Sequence, residues 1–290
     1  MMAQRPALAM LVCTALVAWS AVSFAQDATF RSVVERVRLD ALITEGGQPV
    51  TGLTAADLDV LDNGVRQTLE YVSLDQIPVN VVFVLDMSES VSGRVLDELR
   101  RAVRGVAGSL RDRDQSALIT FSHRVALTSG LSEDSRTLAA SLSALAPGGG
   151  TALIDAMYAS LWVAAPDPGR AVVIVFSDGL DTSSWLTRES VIDTAKRADA
   201  VVYAVTTRSA RHDSFLSELT ETTGGRVFDI SSPERLPGTF AAILEEFRQR
   251  YLVSYAPTGV KAAGWHRLEL RVRGRRAAVK MRQGYLAGPN

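Results

Sequence analysis

The sequence predicts an α/β protein: a doubly wound domain on a mostly parallel sheet, with a smaller β-sandwich-like module formed from the N- and C-terminal segments. Three observations predict it. Runs such as Val79-Asn80-Val81-Val82-Phe83-Val84-Leu85, Ala171-Val172-Val173-Ile174-Val175-Phe176 and Ala200-Val201-Val202-Tyr203-Ala204-Val205 are almost wholly apolar, as strands covered on both faces by helices must be. Between them, Val95, Leu99, Val103 and Val106, and later Phe240, Leu244, Phe247 and Tyr251, recur at three- and four-residue spacing, each set an apolar helical stripe. Outside 79–250 the period falls to two.

In chain order, residues 1–25 come first. Arg5 precedes an apolar run from Ala7 to Val22, and Ser23-Phe24-Ala25 supplies the small-x-small pattern of a signal-peptidase cut, so a cleaved secretory signal peptide is expected. The run is short for a span of about 20 residues and no basic stop-transfer cluster follows, which argues against a retained anchor. The expected destination is secreted or periplasmic, with no membrane span after cleavage. Cys13, the only cysteine, falls inside this run, so no disulfide framework is available to the mature chain.

Residues 26–78 read as a β module. Val37, Leu39, Ala41 and Ile43 alternate with polar residues, broken only at Leu42, and Asp62-Asn63-Gly64 between Leu58/Val60 and Val65/Leu69/Tyr71 is a hairpin signal, because Asn-Gly tolerates positive φ. The apolar strand beginning at Val79 opens the α/β domain, expected over 79–250, with Ser116-Ala117-Leu118-Ile119-Thr120-Phe121 as a further strand. Over 251–290, Leu268, Leu270 and Val272 alternate with Arg267, Glu269, Arg271 and Arg273, a turn follows at Gly274-Arg275-Arg276, and Val279/Met281 alternate with Lys280/Arg282. Basic side chains on a solvated strand face need no ligand. Neither terminal piece has enough strands to bury a face alone, so the two are expected to pack together around the inserted domain.

With 31 basic and 32 acidic side chains in 290 residues and a formal charge of −1, no field draws nucleic acid, and no aromatic-interleaved basic stripe is present. The chemistry-bearing residues are elsewhere. Asp86-Met87-Ser88-Glu89-Ser90 ends the first long strand, Thr151 follows Gly148-Gly149-Gly150 ahead of a helix near Ala152, and Asp178 follows the strand ending at Phe176. In open parallel sheets ligands bind at this carboxyl edge. Two carboxylates and three hydroxyls are hard oxygen donors that suit Mg²⁺, with Mn²⁺ or Ca²⁺ as alternatives, far better than a softer metal. Ser88 and Ser90 can coordinate directly, and Asp86 and Asp178 through water. A cation so lightly neutralised attracts a foreign carboxylate.

Asp86-x-Ser88-x-Ser90, then Thr151 about sixty residues on, then Asp178 resemble the metal-ion-dependent adhesion site (MIDAS) of von Willebrand factor A domains, the Rossmann-like fold shared by integrin inserted domains. All five positions carry the family's residue types. Val50-Thr51-Gly52-Leu53, Ala56-Asp57-Leu58, Tyr251-Leu252-Val253-Ser254-Tyr255 and Arg282-Gln283-Gly284-Tyr285 are similar to a bacterial secreted subfamily related to these domains. The resemblance implies a binding module whose Mg²⁺ coordinates an acidic side chain of a partner protein. It also implies that affinity changes involve the last helix, here the Phe240–Arg250 stretch.

Near the site, Asp155 lies one helical turn after Thr151, either a second-layer partner or a helix-surface acid, while Glu89 and Asp181 read as solvated loop acids outside the coordination shell. His123, His212 and His266 are isolated, and neither His-Glu-x-x-His nor Gly-x-Ser-x-Gly occurs, so no catalytic residue is assigned. The triple glycine lacks the Lys-Ser/Thr of a phosphate loop. Two readings stand beside the non-enzymatic binding module: a structural component of an envelope assembly whose ion serves only folding, and a metal-assisted hydrolase.

Overall fold

The computed structural model describes residues 36–74, 77–165, 169–178, 180–207 and 214–288; the expected signal segment, Cys13 and His212 lie outside them. Five strands come first: β1 (Val37–Glu45), β2 (Gln48–Pro49), β3 (Leu58–Asp62), β4 (Val65–Arg66) and β5 (Tyr71–Ser73). Strands and helices then alternate: β6 (Val79–Asp86), α1 (Arg94–Gly108), β7 (Gln115–Phe121), β8 (Val125–Ser132), α2 (Ser135–Ser143), α3 (Leu153–Ala164), β9 (Arg170–Phe176), α4 (Arg188–Arg197), β10 (Ala200–Thr206), α5 (Ser214–Thr223), β11 (Val227–Asp229) and α6 (Leu236–Arg248). The chain closes with β12 (Tyr251–Tyr255), β13 (Gly264–Val272), β14 (Ala278–Lys280) and β15 (Gly284–Ala287).

The central sheet has the order β11-β10-β9-β6-β7-β8. All its pairings are parallel except β7 with β8. Every residue of β6 and β9 is buried, because each face meets a helical layer. Val81, Phe83 and Leu85 point into a core with α1, α2 and α6. Val82 and Val84 point the opposite way, into a core with α3, α4 and α5. The side-chain period of two therefore feeds two cores from one strand.

Local chemistry sets the helix ends. Asp134 accepts from Arg136 N to cap α2, and the Thr187 hydroxyl accepts from Ser190 N to cap α4. In α4 Glu189 occupies the first turn and Lys196 and Arg197 the last, each complementing the helix dipole. Of the α1 stripe, Leu99, Val103 and Val106 are buried, with Leu96 beside them, while Val95 is half-buried at its margin. The stripe assigned to the last helix is shorter than expected: α6 stops at Arg248 and Tyr251 opens β12. Tyr251 keeps the spacing by coincidence, since it is buried in the adjoining β core. The edge strand β8 has no sequence signal of its own, because its half-exposed Val125–Ser132 pairing leaves neither an apolar run nor a clean alternation.

Both ends of the chain build two further antiparallel sheets. In one, β1 pairs with β12 and with β14; in the other, β13 pairs with β3 and β15. They share one core, in which Leu39, Ile43 and Val60 from the N-terminal side meet Val253, Leu268 and Leu270 from the C-terminal side. The Asn63-Gly64 hairpin has both φ values positive, 48° and 82°, as its two-residue turn demands. After Gly274 the chain crosses to the β1 sheet, where Val279 lies opposite Ile43.

These sheets are joined to the α/β layers by buried arginines. Arg250 is fully buried and donates to the Tyr203 hydroxyl at 3.0 Å, to Gly224 O at 2.6 Å and to Asp40 O at 3.1 Å. Arg170 donates to the Asp40 carboxylate at 2.6 Å, and its guanidinium lies 4.8 Å from the centre of the Phe247 ring.

Candidate metal centre

In the sheet order, β6 is followed by β7 on one side and flanked by β9 on the other. Chain connections leave this point in opposite directions, so the loops separate and open a crevice at the carboxyl ends. Asp86 is the last residue of β6, and Asp178 lies two residues past the end of β9. The fold therefore delivers both carboxylates to that crevice.

Within the first loop the Asp86 carboxylate folds back to accept from Ser88 N at 2.8 Å, a local turn that Asp favours. Its second oxygen accepts from the Ser177 hydroxyl at 2.7 Å. The Ser88 and Ser90 hydroxyls are 3.2 Å apart, and Ser90 donates to Asp178 at 2.8 Å. Asp86, Ser88, Ser90 and Asp178 thus converge on one small volume. Thr151 is brought alongside by the backbone: Glu89 N donates to Gly149 O at 3.3 Å, Gly148 N to Met87 O at 2.8 Å, and Ala152 N to Ser122 O at 2.6 Å. Gly149 has φ of 87°, a left-handed conformation that calls for glycine, and a Cβ there would also displace the exposed His123 ring, whose Nδ1 it would meet at 2.3 Å.

Asp86 has no solvent exposure. Burial pushes its carboxyl pKa up, the Ser88 and Ser177 hydrogen bonds pull it back, and the nearby Asp178 charge adds to the rise. A buried carboxylate beside a second one is an arrangement that a cation would relieve. Among the described residues no three His, Cys, Asp or Glu side chains gather as a metal cluster, so a cation at this edge would draw largely on hydroxyls. The hard oxygen donor set fits a divalent cation of the Mg²⁺ type.

Three features escaped the sequence. Ser177 orients Asp86 from the neighbouring strand, a contact that adjacency to Asp178 hints at without specifying. Asp155 fastens the loop that follows Asp178: its carboxylate accepts from Trp185 N at 3.0 Å and Leu186 N at 2.9 Å. Asp181 is a cap rather than a solvated acid, accepting from Ile154 N at 3.2 Å at the start of α3. The Ser184 hydroxyl accepts from Asp155 N at 3.1 Å, Thr182 and Ser183 both donate from their backbone to Thr151 O, and the Thr182 hydroxyl accepts from Thr151 N at 3.0 Å. Asp181 and Ser184 thereby satisfy two orphan N–H groups in the first turn of α3, while Thr182 and Ser183 pair with the backbone of Thr151 just before it. Glu89 is exposed and contributes its backbone. His266 lies in the β core with Nδ1 2.7 Å from Asp62, away from this edge.

The profile of the von Willebrand factor type A domain family matches residues 80–242, more than half of the chain. In sequence the chain is similar to inter-alpha-trypsin inhibitor heavy chain H4 of Homo sapiens, 30% identical over 171 residues that make up 52% of this chain and 18% of that protein. To its Sus scrofa counterpart it is 33% identical over 117 residues, 36% of this chain and 12% of that one. The matched segments thus span less than a fifth of these curated relatives. In structure it is similar to a von Willebrand factor type A protein from Catenulispora acidiphila, with a TM-score of 0.54 and 13% identity over 80% of this chain and 72% of that one. Proximal thread matrix protein 1 of the mussel byssus, in a structure whose MIDAS motif is occupied by zinc, gives a TM-score of 0.54 at 19% identity, covering 64% and 49%. At such identities the likeness is one of fold. A family match across the whole α/β core, on a sheet whose switch point gathers these loops, leaves one conclusion: the chain belongs to the von Willebrand factor type A domain family.

Proposed function

We propose that this protein is an exported binding module that holds one divalent cation, Mg²⁺ by preference, with Asp86, Ser88, Ser90, Thr151 and Asp178, and uses it to engage an acidic side chain of a partner protein. Domains of this family are generally adhesion or interaction modules. The observation that carries the reading is the convergence of the Ser88, Ser90 and Asp178 oxygens, within 3.2 Å of one another in sequence of contact, at the rim of the crevice beside buried Asp86. Few charges in such a shell leave the cation electrophilic, and Mg²⁺ keeps exchangeable waters that a carboxylate can displace. The zinc-occupied motif of the mussel protein supports a divalent ion at this edge of the fold.

The terminal sheets, β1–β5 and β12–β15, serve in this reading as a platform around the 79–250 domain. Export rests on the signal-like first 25 residues; among the described residues no helix is long and apolar enough to cross a membrane. Pull-down from native envelope with Mg²⁺ against chelator tests the function. A partner retained only with Mg²⁺ and lost with Asp178→Ala supports it; a partner retained equally in chelator contradicts it and favours an ion that serves folding alone.

A further inference from the structure

A single exposed apolar side chain is ordinary, but several large ones exposed close together mark an interaction surface. Three of them fall in one short stretch, Leu180, Trp185 and Leu186, exposed by 56%, 93% and 37%. This stretch joins Asp178 to the Thr187 cap of α4. It is also the segment fastened to Thr151 and α3 by Thr182, Ser183, Asp181 and Asp155. Trp185 is held at its own backbone N–H by the Asp155 carboxylate, and Leu186 beside it by the same group. The indole is therefore presented from an ordered backbone, so that a partner covering it has little loop entropy left to lose.

Position decides what would cover it. Thr182 N lies 2.8 Å from Thr151 O, and Trp185 is three residues further, so its Cα is within about 11 Å of that of Thr182. Leu180 lies two residues past Asp178 and Thr182 is fastened to Thr151, so this loop borders the crevice between two of the residues assigned to the cation.

Resting on the metal-dependent reading above, we infer that Trp185, with Leu180 and Leu186, is the apolar half of the docking surface, and that it fits a partner segment carrying an apolar side chain close to the acidic residue that meets the cation. The acidic group supplies the metal-dependent anchor. The apolar one supplies the desolvated contact that gives an interface its strength, a role for which exposed Trp is well suited.

The test uses the full chain and randomised heptapeptides displayed on phage, selected in millimolar Mg²⁺ and counter-selected in chelator, with binding of the recovered peptides measured on Trp185→Ala and on Val65→Ala. Val65 is an exposed apolar residue on the β3–β4 hairpin. Peptides released by chelator are expected to pair Asp or Glu with an apolar residue a few positions away, and Trp185→Ala to weaken them by about tenfold or more while Val65→Ala leaves them unchanged. The Mg²⁺-induced rise in melting temperature should persist in Trp185→Ala. Mg²⁺-dependent peptides lacking an apolar residue, or bound equally by Trp185→Ala, would overturn the inference and leave the metal reading standing. Absence of the Mg²⁺ shift in the unaltered chain would overturn both.

Discussion

Replacing Arg250 with Met measures how firmly the terminal sheets are joined to the α/β domain. The side chain is fully buried, and its guanidinium reaches Tyr203 in β10, the Gly224 carbonyl past α5, and the Asp40 carbonyl in β1. Met preserves much of the volume, so cavity formation is a minor term. Removing one member of a buried charged network costs about 3–5 kcal/mol when the partner charge is left stranded. Here Glu246 retains Arg226 and the Tyr203 hydroxyl, so the chief orphan is the Gly224 carbonyl. One such orphan costs about 1–3 kcal/mol, and relief of the desolvated arginine offsets part of it. The expected net loss is about 1–2 kcal/mol, or a fall of roughly 2–8 °C in Tm for a chain of this size. Arg250→Lys should lie between, since an ammonium cannot bridge three separated oxygens with a planar fork. Urea unfolding followed by circular dichroism gives both midpoint and slope. A loss below about 1 kcal/mol at unchanged slope would refute the view that this arginine joins the layers.

Other outcomes follow from the same geometry. Asp62→Ala removes the acceptor shared by Tyr255, Tyr285 and His266 and should cost at least about 3 kcal/mol in the same assay, with Asp62→Asn milder because one carbonyl oxygen remains. Gly225→Ala should prevent folding or lower Tm by more than about 8 °C, because its Cβ would lie 1.8 Å from the Val202 carbonyl, which the sheet holds in place; normal soluble expression and Tm would contradict the packing. Burial is the first cause raising the phenol pKa of Tyr203, Tyr255 and Tyr285 above the ordinary value of 10. A phenol raised on folding contributes stability that is intact below its unfolded pKa and lost as pH rises toward its folded one. Stability should therefore fall above about pH 10, by up to about 4 kcal/mol per pH unit once all three phenols are ionised in the unfolded chain only. Absorbance at alkaline pH should show these tyrosines ionising together with unfolding, and ionisation of all six tyrosines in the folded chain would contradict it.

How far the residues announce this arrangement depends on whether the signal is local. The fully apolar strands of β6, β9 and β10 are legible because burial on both faces leaves no polar position to blur them. Asn63-Gly64 is legible because the turn needs positive φ. Asp86, Ser88, Ser90 and Asp178 can be read because strand ends concentrate ligands in an open sheet, and the structure brings those four together. What stays hidden is pairwise and distant in sequence. Nothing near Asp155 says that its carboxylate will hold Trp185 and Leu186, since a helix-surface acid has the same local pattern. Asp62 looks like the first residue of a turn until Tyr255, Tyr285 and His266 close over it from the other end of the chain. Arg250 sits among ordinary helix-terminal charges, and only the meeting of β1, β10 and β14 shows why it is arginine.

The account rests most heavily on a cation held by these converging oxygens, and thermal unfolding of the full chain with and without Mg²⁺ tests it most directly. At an ion concentration about a hundredfold above the dissociation constant, selective binding to the folded state adds about 2.7 kcal/mol, so Tm should rise by roughly 5–11 °C. Asp178→Ala should abolish the rise while its Tm in chelator stays close to that of the parent. A parent chain whose Tm is the same in chelator, millimolar Mg²⁺ and millimolar Mn²⁺ would contradict the account.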